Sequence, residues 1–470
     1  MDEQYSERLK AMLAECQIQP GLFKGMLERL TQFVQPFANE LSTPERQGYL
    51  GNYVAGLCAP VQRKTSETIA YFHDQDRQGL QRFIGYLEWD HRPLVARLVG
   101  QVATALGEPA GVLVLDPSAF AKQGTESVGV QRQWNGRLGK IDNSQVGVYL
   151  GYVSRREQAL VDLRLYLPKQ WIKDKPRRKK CHVPPKLKFA TKLELGRQMV
   201  QEHGSVLPHA WVVGDDEFGR STQFRRDLRT DGERYLLAVP SNTLVRDLTA
   251  PPPPYRGFGK RPQAPFVRVD KWCEALPPEA WTTVEVRDAE KGPLVVEVVS
   301  TPVLAITERQ RADATEVLVV TRRLEGSTMV YDYWLSNADP QTPAAEFARA
   351  AKARGRIEEC FKRAKSESGL ADYETRTWWG WHHHQTLALL ASWFLVCERL
   401  RGGKIDAGHY VPSTPRGASG TVVRSDRPAR RRADRTPNWD SPRPQRNRSA
   451  VSLEITQPLT AFAGTATAID

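Results

Sequence analysis

The stretch Gly111-Val-Leu-Val-Leu-Asp-Pro-Ser-Ala-Phe120 decides how this chain is read. Four apolar residues without a polar break are consistent with a strand buried on both faces, and Asp116-Pro117 marks where it should stop. A second stretch repeats the pattern: residues 210–214 are apolar and run into Asp215, within Trp211-Val-Val-Gly-Asp-Asp-Glu-Phe-Gly219. Between them, residues 146–153 and 159–167 read as two further strands, the latter alternating, and residues 189–203 as a helix. Residues 218–230 read as another helix and 235–239 as another strand. Three strands, helix, strand, helix, strand predicts a layered α/β domain.

Outward from this core the character changes. Residues 1–105 lack β alternation; segments 4–14, 21–38 and 91–106 have helical apolar spacing, and Pro44-Glu45 resembles a helix start. On the other side, Ala250-Pro-Pro-Pro-Pro254 and the Gly/Arg/Pro stretch to Pro265 interrupt regular structure. Strand-like segments follow at 281–287, 294–306, 316–321 and 328–335, a candidate β insertion. Residues 342–365 and 384–400 turn helical again. From 401 the chain is rich in Arg, Pro, Ser and Gly and is expected to be disordered, and such an end could be a frameshifted reading. The expected division is therefore 1–108 helical, 109–240 first part of the α/β domain, 241–341 β-rich insertion, 342–400 its second, helical part, and 401–470 tail.

The 470 residues carry a net charge of +13, which points to a polyanionic partner, nucleic acid before membrane. Residues 1–110 hold 11 basic against 13 acidic residues, so broad electrostatics there are weak. The densest basic run, residues 173–192, has nine basic residues and one acidic, among them Arg177, Arg178, Lys179 and Lys180. A charge run is usually a solvated loop; in mid-domain it also suits phosphate contact. No apolar run approaches the roughly 20 residues that span a bilayer, and the polar start does not resemble a signal peptide. The six scattered cysteines contain no Cys-x-x-Cys pair, which fits reduced thiols in a cytoplasmic protein.

Asp116 and Asp215 both follow apolar strands, and in open α/β sheets ligands sit beyond the carboxyl ends of strands. Two carboxylates in one crevice repel unless a cation neutralises them, and hard oxygen ligands suit Mg²⁺ or Mn²⁺. An aspartate at a strand end is also a common helix cap. Downstream, Arg354, Glu358 and Lys365 in Ala353-Arg-Gly-Arg-Ile-Glu-Glu-Cys-Phe-Lys-Arg-Ala-Lys365 share roughly one helical face. They fit either an exposed ion pair or a third metal-binding carboxylate between two phosphate-directed cations. Trp378, Trp379, Trp381 and His382-His-His384 suggest core packing or contact with DNA flanks, because consecutive helical side chains diverge by about 100° and cannot share one ion. Trp272, Trp281 and Trp334 fit core packing better than stacking on an unpaired base. Gly136-Arg-Leu-Gly139 is a weak phosphate cradle.

With these motifs in view, the sequence resembles DDE transposases of bacterial insertion sequences, close to the insertion-sequence 701 family. The resemblance runs from about residue 44 to residue 400. It includes Ser127-Val-Gly-Val130, Gln145-Val-Gly-Val148, Tyr166-Leu-Pro168, Tyr333-Trp-Leu-Ser336 and Gly369-Leu-Ala-Asp-Tyr-Glu374. It implies a ribonuclease-H-like (retroviral-integrase-like) catalytic domain, with a β domain between the second and third acidic residues as in the related cut-and-paste branch. The implied acidic triad, catalytic and metal-binding, is Asp116, Asp215 and Glu358, holding two Mg²⁺ or Mn²⁺ ions; Arg354 and Lys365 are the implied DNA-binding partners. Asp216, Glu217 and Glu359 are adjacent competitors; Glu358 alone has the family's spacing to Lys365. Where the branch places a tyrosine, this chain has Ala351. The implied function is cleavage at terminal inverted repeats and 3′-OH strand transfer into target DNA. The partners are double-stranded DNA, with the N-terminal helices recognising its ends, and a second copy on DNA; location at the bacterial nucleoid follows. The alternatives are an inactive or domesticated DNA-binding derivative, or a metal nuclease of the same fold.

Overall fold

The computed structural model describes residues 25–136, 138–287 and 294–401. The expected helix at 4–14 and the tail beyond 401 lie outside them.

Five helices come first: α1 (Met26–Ala38), α2 (Pro44–Cys58), α3 (Ser66–Phe72), α4 (Arg77–Gly85) and α5 (Arg92–Leu106). Their starts are chemically marked. Thr43 accepts the Arg46 N–H with Pro44 in the first turn, and Asp76 accepts from Gln78 and Gly79. Phe37, Leu50, Tyr53, Leu80, Phe83 and Leu98 from these helices join the same buried cluster as the strands that follow.

The sheet begins with β1 (Val112–Ala121), β2 (Gln131–Asn135), β3 (Lys140–Val153) and β4 (Gln158–Leu165). α6 (Lys169–Lys173), α7 (Lys175–Lys180) and α8 (Lys192–His203) lead to β5 (Trp211–Gly214). α9 (Asp216–Gly219) and α10 (Thr222–Thr230) lead to β6 (Tyr235–Ala238). β3 pairs antiparallel with β1 and β4, while β5 lies parallel to β1 and β6 parallel to β5.

Several boundaries differ from expectation. β1 does not stop at Asp116-Pro117 but continues to Ala121. β5 ends opposite Leu115, so beyond that point β1 pairs with β3. A proline that cannot donate to a second neighbour is tolerated there. The expected helix at 218–230 is two helices, because Ser221 caps a new one through the Phe224 N–H. The basic run at 173–192 is not all loop: Asp174 caps α7.

The segment after β6 adds β7 (Leu244–Asp247), β8 (Val267–Arg268), α11 (Val269–Glu274), β9 (Thr282–Arg287), β10 (Leu294–Thr307), β11 (Gln310–Arg311), β12 (Glu316–Glu325) and β13 (Thr328–Ser336). β13 pairs antiparallel with β6, so these strands extend the first sheet, and the connected order is β2-β3-β1-β5-β6-β13-β12-β10-β7-β8. Alternation along β12 serves two cores: Val317 and Val319 join the main cluster, while Leu318 and Val320 join a smaller one with Val245, Val269, Val303 and Leu335. Arg225 on α10 and Glu316 on β12 make a buried ion pair at 2.8 Å, with the Tyr235 hydroxyl donating to Glu316 at 2.6 Å.

Two 24-residue helices close the described chain, α12 (Ala344–Glu367) and α13 (Trp378–Arg401). α13 starts six residues before the expected position. α12 lies close to the sheet because Gly151 on β3 lacks a Cβ; one placed there would meet Ile357 Cδ1 at 2.4 Å.

Candidate active site

β1, the β5–α9 junction and α12 deliver Asp116, Asp215 and Glu358 to one electrostatic environment. Asp116 is half-buried, and its carboxyl is pushed up to about 7. Burial is the main cause; the charge of Asp215 adds to it, Arg354 opposes it, Glu358 raises it further and Lys365 lowers it. Asp215 is raised as well, by burial first, with Arg354 opposing and Glu217 and Asp216 adding repulsion. It caps α9, accepting from the Glu217 N–H at 3.0 Å and the Phe218 N–H at 3.4 Å. The helix-cap and functional readings of Asp215 are therefore compatible: the cap fixes the carboxylate's position.

α12 buries its alanine-rich side, including Ala350, Ala351 and Ala353, and leaves Arg354 and Glu358 toward the rim. Arg354 Nε lies 3.4 Å from Glu358, whose side chain is 58% exposed. Two turns on, Lys365 Nζ donates to Ser118 Oγ at 2.9 Å and sits 5.4 Å from the Phe120 ring. Ser118 and Phe120 escaped the sequence reading. They follow Asp116 at two-residue steps on β1, so a strand continued past Pro117 would have placed them on Asp116's face. Ala351, where the resembling branch has a tyrosine, is buried.

The acidic neighbours have other engagements. Asp216 pairs with Arg220, Glu217 with Lys192 at 2.8 Å and Glu359 with Arg363 at 3.6 Å. A cleft of about 890 Å³ opens beside Asp215, lined also by Lys192, Arg197, Glu217, Arg220 and Trp134.

Hard carboxylate oxygens, two of them on carboxyls raised chiefly by burial, with cations nearby, are a donor set that fits a divalent cation. Among the described residues, the tightest potential metal group lies elsewhere: Asp162, Glu202 and His203 offer ligand atoms within 4.8 Å of one another, and the Asp116–Asp215–Glu358 trio is more open. Asp162, Glu202 and His203 are satisfied as an ion-pair network. Arg164 contacts Asp162 and Glu202 at 2.7 Å each, and His203 contacts Asp162 at 2.8 Å. Burial would raise Asp162, but Arg164 and His203 hold it below its usual range.

The basic run is partly structural. Arg177 stacks over Trp171 at 3.8 Å and donates to Thr125 O, Arg178 donates to the carbonyls of Ile172, Pro184, Pro185 and Leu187, and Lys180 pairs with Glu126. Lys179 and Lys180 are exposed. Of the tryptophan–histidine cluster, Trp381 and the three histidines are core, while Trp378 and Trp379 are half-buried. His384 faces the Tyr53 hydroxyl at 2.9 Å and Gly369 O at 3.0 Å, and burial lowers His382 and His384 to about 3 and His383 to about 4. Trp281 and Trp334 are buried, and Trp272 donates to Asp247 at 3.0 Å. The five cysteines among the described residues are free thiols, and no described helix is long and apolar enough to cross a membrane.

Two comparisons with known proteins bear on the chain's family. A family model described as DDE superfamily endonuclease matches residues 36–293, a span that contains Asp116 and Asp215 and ends before Glu358. A curated relative, the probable transposase for insertion sequence element IS701 of Microchaete diplosiphon, is 28% identical over 199 residues. That alignment covers 41% of this chain and 49% of the relative, so the chain spans about half the length of the curated relative it matches. The family match extends over more than half of the 470 residues, and the chain belongs to the DDE superfamily endonucleases.

Proposed function

We propose that the protein is a DNA transposase that cleaves at the terminal inverted repeats of an insertion element and joins the freed 3′-OH ends to target DNA. The observation that carries this reading is the setting of Asp116: the charges of Asp215, Arg354, Glu358 and Lys365 all act on its carboxyl, Arg354 lies 3.4 Å from Glu358, and Lys365 donates to Ser118 two residues along β1. The strand order β4-β3-β1-β5-β6, antiparallel and then parallel, supports a ribonuclease-H-like catalytic domain split by the β insertion. The relative's description as a probable transposase supports it further.

Asp116, Asp215 and Glu358 would hold one or two Mg²⁺ or Mn²⁺ ions, which when bound activate the attacking oxygen and stabilise the leaving one in an in-line displacement. The chain's own residues do the rest. The α9 cap orients Asp215, and β1 fixes Asp116 within a paired strand. Arg354 and Lys365 provide positive charge on either side of Glu358 for phosphate oxygens. Lys179 and Lys180, with Arg177 and Arg178 anchoring their helix, extend the phosphate-contacting surface. The N-terminal helices read the element's ends, two copies assemble on double-stranded DNA to pair those ends, and the protein works at the bacterial nucleoid.

The test is strand cleavage and strand transfer with Mg²⁺ on DNA carrying the element's ends, comparing the full chain with Asp116→Asn and Glu358→Gln. Loss of both steps in both variants is expected. Retained cleavage in either variant would sink the site, and cleavage without joining would reassign the protein as a nuclease.

A further inference from the structure

The tryptophans of the insertion are largely packed away, but one tryptophan outside it is not. Trp134 lies near the end of β2 and is 63% exposed. Directly across the hairpin, its partner Ile141 on β3 is 59% exposed, and Leu138 in the connecting turn is 38% exposed. Three large apolar side chains thus crowd one tip that faces solvent, where burial would normally be favoured. Arg132, two residues before Trp134 and on the same face of the strand, is exposed, whereas Lys140 at the start of β3 pairs across from Asn135 on the other face and is engaged with Asp142 at 3.1 Å.

The position of this tip matters. Trp134 and Gly136 line the cleft beside Asp215. The charged groups on that cleft's wall are mostly engaged with one another: Lys192 with Glu217, Arg220 with Asp216, and Arg197 with Asp227. A wall whose charges are already paired offers little to phosphate. It presents instead an aromatic ring with aliphatic support, edged by Arg132. That combination suits bases: apolar side chains wedge between base steps, and rings stack on unpaired bases of any sequence.

We propose that the β2–β3 hairpin tip is a base-contacting wedge for DNA held at the Asp215 cleft, with Trp134 as the stacking ring and Ile141 and Leu138 as its apolar backing. This rests on the transposase reading, and it adds a residue that the acidic site does not require. The wedge would favour DNA whose strands are parted at the cleft, and its ring would hold an exposed base while Arg132 approaches an adjoining phosphate.

The test is binding without catalysis. The full chain in EDTA is titrated against a forked duplex and a fully paired duplex of equal length, and Trp134→Ala and Trp134→Phe are compared after circular dichroism confirms folding. Wild type is expected to prefer the fork; Trp134→Ala should lose roughly 5- to 100-fold in fork affinity, the range for losing one base–aromatic stack, and Trp134→Phe should keep most of it. Equal affinity of wild type for both duplexes, or an unchanged fork preference in Trp134→Ala, overturns the wedge. The same holds if Trp134→Ala only dissociates a dimer in sedimentation, which would make the tip a contact between copies. Binding to neither duplex fails the transposase reading itself.

Discussion

Asp116→Asn should make the metal-free protein more stable, not less. Asp116 is held at about 7 against its usual 3.8, so above neutral pH the fold confines an ionised carboxylate that the unfolded chain would hydrate freely. At ~1.4 kcal/mol for each tenfold change, ionising it costs the native state up to about 4 kcal/mol. Because the side chain is only half-buried, solvent screening reduces this to about 2–3 kcal/mol. The pH dependence has a definite sign. Below 3.8 both states are protonated, and the residue makes no difference. Between there and about 7 the native state retains a proton that the unfolded state releases, so stability falls as pH rises, and above it the penalty is complete. Denaturant unfolding in EDTA across this range should show wild type and Asp116→Asn together at low pH and separating toward pH 8. Added Mg²⁺ should then raise the wild-type midpoint and leave the variant's nearly unmoved, since a ligand stabilises only the state that binds it. A variant no more stable than wild type at pH 8, or a gap equally wide at pH 4, would refute the idea that Asp116 is strained by burial and by its acidic neighbours.

Glu359→Gln should retain most end cleavage while Glu358→Gln abolishes it, because Glu359 pairs with Arg363 whereas Glu358 pairs with Arg354 and acts on Asp116; equal loss in a cleavage assay would erase the distinction. Gly219→Ala would place a Cβ 1.8 Å from Ala238 O, forcing α9 from β6 and shifting the Asp215 cap. Cleavage should fall by roughly 100-fold, as for an ångström of misplacement, and near-wild-type rates would show the junction to be slack. Glu316→Gln should cost about 3–5 kcal/mol in denaturant unfolding by stranding buried Arg225. A loss under about 1 kcal/mol would mean that water reaches the pair.

The sequence by itself determined what short-range patterning can carry. Continuous apolar runs marked β1 and β5 as buried strands, and helical spacing and Pro44-Glu45 marked N-terminal helices; the preference for Glu358 over its neighbour came instead from the spacing to Lys365 that the family resemblance implies. The strand and helix readings depend on residues a few positions apart, where backbone periodicity decides direction. What was not legible depended on neighbours distant in sequence. β1 runs through Pro117 because β5 has already ended beside it, and Ser118 joined Lys365 only through that extension. The insertion strands extend the first sheet because β13 finds β6, nearly a hundred residues earlier. Composition made the tryptophans of the insertion and the histidine run conspicuous, but burial absorbs Trp281, Trp334 and the three histidines into cores. Trp134 drew no notice in the chain and stands exposed beside the cleft. Patterning assigns a residue to a face of its own element; only packing between elements decides whether that face meets protein or remains open to solvent.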